Sequence, residues 1–301
     1  MRLHTVNGVT DGDSTGMTMI HEHLIFDLTG VRKDEDSRLR EADVIEEVMQ
    51  LRQSGCGLMV EVTNIGMGRN PLGLLSISRR TGMDIVASTG FYKEVHYPSY
   101  VFDSEAERLA DLFVREIEEG MEGTAIKAGL IAEIGSSLNE ITPAEDKVFR
   151  AAVSAHRATG APISTHCEIG TMGSEQLALV EKHGANLSKV SFGHQDLNEN
   201  LEEQRQLLRS GAYLQFDTIG KISYRSDEDR ALNLVRLLED GFENRIMLSC
   251  DITRQSHLRK FGGHGYHYLF DSFIPLLKRY GVTDNQLQRM LVINPRAWLS
   301  F

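Results

Sequence analysis

The chain of 301 residues contains only three cysteines, Cys56, Cys167 and Cys250, and no Cys-x-x-Cys pair. Such an odd, widely spaced set argues against a disulfide framework and fits a reducing compartment. No run approaches the roughly eighteen apolar residues of a membrane span. The opening segment MRLHTVNGVTDGDSTG lacks the apolar core of a signal peptide, so a cytoplasmic location is expected. Positive charge is also scarce: 32 Lys and Arg against 43 Asp and Glu leave a net charge of −11. Nucleic acid and anionic membranes select basic surfaces, so neither is expected as a partner. A small anionic substrate stays open, because a few local cations outweigh the global field at short range. Pro-, Gly- or Ser-rich linkers and low-complexity tracts are absent, and residues 1–301 read as one domain.

What the chain does have is a repeated alternation. Short apolar or β-branched runs recur: MTMIHEH (17–23), LMVEVT (58–63), DIVASTG (84–90), AGLIAEIG (128–135), PISTH (162–166), VSFGH (190–194), YLQFD (213–217) and IMLSCD (246–251). Between them lie helix-like stretches such as 41–55, 104–120, 142–160 and 226–241, several ending on glycine. Thr142, Pro143 and Glu145 have the form of a cap, a first-turn proline and a capping-box acid. Eight buried strands alternating with helices predict a parallel sheet, and eight units in this length suit a closed (β/α)8 TIM barrel. The alternative is a doubly wound open sheet, but no Gly-x-Gly-x-x-Gly follows any strand.

The strands finish on metal-ligand residue types. His21 and His23 end the first, Glu133 lies in the fourth, His166 ends the fifth, His194 the sixth and Asp251 the eighth. Residues two apart on a strand share a face about 7 Å apart, so His21 and His23 can serve one ion. Taken singly, each His reads more readily as a hydrogen-bonded structural residue than as a ligand, and Asp251 as the cap of the next helix. Together, at the end of a barrel where active sites lie, they predict a metal centre. Six N/O ligands exceed one tetrahedral zinc and suit two metals about 3.5–4 Å apart, with a carboxylate bridge and a hydroxide between them. Asp251 is then the expected proton acceptor. Zinc leads for a His-rich set, with manganese or cobalt as alternatives. Glu22 points to the opposite face, where it either orients a neighbouring element or caps a polar pocket.

At this point the residues resemble the phosphotriesterase family of the amidohydrolase superfamily, and most closely its phosphotriesterase homology protein branch. The likeness runs through GMTMIHEHL, MGRNP (67–71), KAGLIAEIG (127–135), PISTH, FGHQD (192–196), GAYLQFDTIGK (211–221), LSCDITR (248–254) and NPRAWL (294–299). It implies that His21, His23 and Asp251 hold a more buried metal, His166 and His194 a more exposed one, and that Glu133 bridges. Many members bridge with a carboxylated lysine instead. If that lysine aligns with Ala132, Glu133 needs a local bulge to face the metals; Lys127 lies six residues too early. The family implies hydrolysis and, commonly, dimers. Its efficient triesterases carry a histidine after the strand-seven aspartate, whereas this chain has Thr218 after Asp217. Lactone or carboxyl-ester hydrolysis therefore leads over phosphoester and C–N bond cleavage, with an inactive binding protein as the non-enzymatic alternative.

Tyr92, Lys93, Lys221 and Arg254, with Arg225 nearby, follow strand ends and are expected to bind the substrate, gripping an anionic group of a sugar-like lactone. His257, His264 and His267 lie in a Gly-rich stretch that reads as a lid or a solvated loop. His4, His96, His156 and His183 read as surface or packing residues, and Cys167 and Cys250 as small core residues.

Overall fold

Each of the eight apolar runs becomes a strand in the computed structural model, which describes all 301 residues. They are β1 (Met17–Glu22), β2 (Cys56–Glu61), β3 (Asp84–Thr89), β4 (Leu130–Ser136), β5 (Ile163–Cys167), β6 (Val190–Phe192), β7 (Tyr213–Phe216) and β8 (Ile246–Leu248). Every paired neighbour is parallel, and the spatial order is the sequence order. A doubly wound sheet reverses its order at a switch point; this one does not, so the TIM-barrel expectation holds.

The four named helical stretches form, as α1 (Glu41–Gln53), α3 (Ala106–Glu118), α4 (Pro143–Thr159) and α7 (Asp227–Glu239), and α2 (Pro71–Thr81), α5 (Gly173–Lys182), α6 (Leu201–Arg209) and α8 (Ile274–Arg279) complete the alternation. At the start of α4 the Thr142 hydroxyl accepts the Glu145 amide at 3.1 Å and the Glu145 carboxylate accepts the Thr142 amide at 2.9 Å. No helix is long and apolar enough to cross a membrane.

Two apolar layers result. One lies between strands and helices and includes Met19, Val48, Ile77, Phe113 and Phe149. The other fills the barrel with Ile20, Leu58, Val60, Val86, Leu130, Ala132 and Met247, joined from below by Leu3 and Trp298. Leu3 belongs to an antiparallel hairpin of Arg2–Thr5 with Gly8–Asp11, and Trp298 to the closing helix Asn294–Leu299. These two segments plug the lower end and leave the C-terminal mouth as the open one.

Two bulges set what faces inward. Between β4 and β5 the register passes from Ile131↔Ile163 to Ile134↔Thr165, so three residues of β4 span two of β5. Ala132 stays in the inner core and Glu133 also turns inward. Between β1 and β2 the register passes from Met19↔Met59 to Glu22↔Glu61, with the same consequence for Ile20 and His21. Each bulge lets a core residue and a polar residue share one face without flipping the rest of the strand. Lys127 lies before β4 begins, beside Arg2, His4 and Phe301 at the plugged end, which removes it from the mouth.

Candidate metal centre

The structure brings all six expected ligands together, each of them buried. Glu133 Oε2 lies 3.3 Å from His21 Nε2, 3.2 Å from His166 Nδ1 and 3.8 Å from His194 Nε2, while Oε1 lies 3.8 Å from His23 Nε2. Asp251 Oδ1 is 3.7 Å from His21 Nε2 and 3.3 Å from His23 Nε2. Glu133 thus belongs to two groups of donors, one with His21, His23 and Asp251, the other with His166 and His194. His21 Nε2 and Asp251 Oδ1 have no hydrogen-bond partner although both are buried. Buried polar atoms are rarely left so. Two such atoms beside a shared carboxylate are a set that a pair of divalent cations would complete.

The opposite ring nitrogens are already engaged, which fixes the orientation of each imidazole. His21 Nδ1 meets Gln215 Oε1 at 2.8 Å, His23 Nδ1 meets Thr63 Oγ1 at 2.7 Å, and His194 Nδ1 meets Asp217 Oδ1 at 2.8 Å. Asp217 Oδ2 is also 3.1 Å from His21 Nδ1. Asp217 could join His21 and His194 around an ion, but it meets only their outward nitrogens, so its place is that of an orienting group. His166 presents Nδ1 inward; its Nε2 meets Glu168 Oε2 at 2.7 Å and the Tyr92 hydroxyl at 3.3 Å. Burial would raise the Glu168 carboxyl, yet His166 and Lys93 hold it well below the carboxylate range. Glu168, Gln215 and Asp217 were not expected at the site, although Asp217 carried the strand-end signal.

Two of the expected ligands sit on backbone that non-glycine residues seldom adopt: His194 has φ +56° and Asp251 φ +51°. Both lie just past the ends of short strands. Gly193 precedes one of them because a Cβ there would stand 2.4 Å from the Thr165 carbonyl.

Glu22 faces away from the ligands and across to β8. Its carboxylate accepts from the Ser249 hydroxyl (2.7 Å) and from the amides of Cys250 (2.7 Å), Asp251 (3.3 Å) and Ile252 (3.0 Å). β1 and β8 are the two ends of the hydrogen-bonded sheet order, so no backbone ladder joins them. Glu22 therefore orients the segment that carries Asp251. Burial pushes its carboxyl up to about 7 despite these donors.

The mouth is a cavity of about 570 Å³ lined by Tyr92, Lys93, Lys221 and Arg254, as expected. However, the three cations already have carboxylate partners. Lys93 pairs with Glu168, Lys221 with Asp251, and Arg254 with Asp34. The unpaired cation lining the cavity is Arg32, which sequence reasoning missed. Arg225 turns away, donating to the Asp196 carbonyl at 2.7 Å. His96, expected at the surface or in packing, lines the cavity 5.0 Å from the Tyr92 ring, and burial lowers its pKa to about 4. His257 and His264 line it too, whereas His267 is buried. Their segment is anchored, since the Tyr266 hydroxyl donates to the His23 carbonyl and the Tyr266 amide to Glu47, both at 2.7 Å.

Residues 1–299 match the model of the Phosphotriesterase family. The chain is 48% identical over 284 residues to the phosphotriesterase homology protein of Escherichia coli K12, covering 94% of this chain and 97% of that one. It is 30% identical to the N-acetyltaurine hydrolase of Homo sapiens, covering 100% and 98%. A crystal structure of a lactonase from Listeria monocytogenes superposes with a TM-score of 0.95 at 28% identity, covering 100% of this chain and 99% of that one.

Proposed function

The chain belongs to the phosphotriesterase family, and from that premise we propose that it is a hydrolase that holds two divalent metal ions, zinc first among them, and cleaves a lactone or carboxyl ester. The observation that carries this reading is the Glu133 carboxylate shared between two histidine groups, with His21 Nε2 and Asp251 Oδ1 left unpartnered beside it. When bound, the ions would supply Lewis acidity and lower the pKa of water toward about 7.

The chain's own contribution is to hold and protect the reacting groups. Asp251 lies well below the usual carboxylate range. Burial opposes this, but Lys221 and the neighbouring histidines outweigh it. Its anionic carboxylate would help hold an ion through Oδ1, beside His21 and His23, and Oδ2, which Lys221 positions, is the oxygen left to accept a proton. Tyr92 lies over His166 and presents a hydroxyl at the exposed edge of the site, where it can orient a substrate oxygen.

Thr218 supports the preference against neutral phosphotriesters. Its hydroxyl is committed to Asp196 and accepts from Arg230 Nη2 at 2.9 Å, so nothing at that position replaces an imidazole. The likeness to N-acetyltaurine hydrolases supports a second reading, cleavage of an N-acyl bond, which requires attack at the same kind of acyl carbon. In either case Arg32 is the cation free to meet an anionic substituent. The three unpaired, buried cysteines support the expectation of a cytoplasmic protein.

The test is metal content by ICP-MS with intact mass, followed by rates of the loaded protein on lactones, carboxyl esters, N-acyl sulfonates and phosphoesters. Two metals per chain, no added carboxyl mass and the highest kcat/KM on lactones or esters are expected. Faster N-acyl cleavage would establish the second reading. A fully loaded protein without turnover on any panel would overturn the hydrolase reading.

A further inference from the structure

Glu133 reaches the histidines only because β4 is bulged, and a bulge leaves backbone groups that the regular ladder does not hold. The paired register of β3 with β4 stops at Thr89↔Ile131, one residue before the irregular step. Beyond it the backbone is met by a side chain. The Asn64 amide nitrogen donates to the Ala132 carbonyl at 2.9 Å and to the Glu133 carbonyl at 3.3 Å. Asn64 follows β2, two strands away from β4 in the sheet. Gly90, at the end of the intervening β3, makes room for this approach. It has φ +137°, and a Cβ there would stand 2.8 Å from the same Ala132 oxygen. The loop carrying Asn64 is itself tied to this point, since the Ile65 amide donates to the Gly90 carbonyl at 3.2 Å.

The orientation of the Asn64 amide follows from its neighbours: both are carbonyl oxygens, so only the nitrogen can face them. Asn64 is fully buried and its Oδ1 has no partner. An apolar side chain of similar size would avoid that penalty, so what the position supplies is the pair of bonds from nitrogen. Their placement is specific. The two accepting carbonyls belong to the peptide groups immediately before and after the Glu133 Cα. Holding both peptide planes fixes the backbone dihedrals of Glu133, and with them the direction of its side chain. A regular strand would turn that side chain to the opposite face.

We propose that Asn64 is the positioning residue of the shared carboxylate: its amide clamps the β4 bulge and so sets where Glu133 stands among the histidines. This rests on the reading of Glu133 as the group common to two metal ions.

The experiment compares Asn64→Leu and Asn64→Ala with Thr142→Ala, which removes a helix cap remote from the bulge and serves as a control for lost stability. In the metal-free full chain, hydrogen exchange by mass spectrometry follows the peptide spanning residues 130–136. Loss of two hydrogen bonds should speed its exchange about tenfold or more, well beyond any change in the strands of the far side or in Thr142→Ala. In the second arm Mn2+ is titrated into each protein and followed by EPR. Wild type and Thr142→Ala should give the signal of an exchange-coupled pair. The Asn64 variants should bind the second ion about 10–100-fold more weakly, and isolated Mn2+ should replace the coupled signal. If wild type takes up no ion pair, the metal reading falls by itself, and exchange in the metal-free protein still decides the clamp. Exchange that stays unchanged, or rises equally throughout the barrel, overturns the clamp and leaves the metal reading intact. Faster local exchange with an undisturbed coupled pair overturns it too, because the carboxylate would then keep its place without the amide.

Discussion

Glu22 accepts the Cys250 amide at 2.7 Å across a seam of the barrel that has no backbone ladder. The same carboxylate takes the Asp251 and Ile252 amides and the Ser249 hydroxyl, while the His21 amide donates to Ser249 Oγ at 3.1 Å. One side chain thus closes the sheet and fixes the segment bearing the candidate proton acceptor. The residues on either side of it, His21 and His23, face the opposite way into the candidate metal centre.

Removing this acceptor should be costly. Glu22→Ala strands four buried donors, each worth about 1–3 kcal/mol when unsatisfied. We expect about 3 kcal/mol or more of destabilisation by urea unfolding of the metal-free protein. Glu22→Gln keeps an oxygen for most of the donors and should lose less than half as much. Equal losses for the two variants would show that the carboxylate is not acting as a multiple acceptor.

Lys221 separates two roles. As the partner of Asp251 Oδ2 it is a positioning residue, and Lys221→Met should lower kcat about 100-fold, the scale of a misplaced acid–base group. Metal content and KM for a neutral ester should hardly move. If Lys221 chiefly grips a substrate anion, the same variant will raise KM for anionic substrates and spare kcat on neutral ones.

The MGRNP segment carries a buried ion pair. Arg69 donates two bonds of 2.8 Å to Glu116, and both side chains are almost fully enclosed. Arg69→Met leaves the Glu116 charge unpaired and should destabilise the fold by about 3–5 kcal/mol. Adding Glu116→Leu should recover most of that loss, because burying neither charge is nearly as favourable as burying both. A double variant as unstable as the single one would refute this.

His156 should make stability depend on pH. Its Nδ1 meets the Ala161 carbonyl at 2.7 Å and its Nε2 accepts the Asn186 amide at 3.1 Å, which requires a neutral ring. Burial lowers its pKa below the ordinary 6.5. Below that value the unfolded chain binds the proton more readily than the folded one. Stability present at neutral pH is therefore lost as pH falls through the folded pKa. Unfolding midpoints of wild type and His156→Gln should converge as pH drops from 7 toward 5; parallel curves would contradict the neutral assignment.

The sequence by itself determined the barrel and most of the candidate metal centre, because the signals are local. Strand runs and amphipathic helices can be read within a dozen residues. In a barrel, every strand's C-terminal end points to one mouth, so His21, His23, His166, His194 and Asp251 converge once the strands are counted. The bulge at Glu133 was expected only through the resemblance to relatives with a lysine one residue earlier, and the register of β4 against β5 shows that it exists.

Tertiary structure alone decided which charges are free. Arg254 pairs with Asp34, 220 residues away, and Glu22 reaches Ile252 across 230. Such partners leave no periodic trace in the chain, so Lys93, Lys221 and Arg254 read as available cations while Arg32 went unnoticed. The hold on the β4 bulge was equally hidden, since Asn64 lies 68 residues before the Ala132 carbonyl it meets. Pattern along the chain fixes which face a residue takes; what it touches there depends on three-dimensional closure.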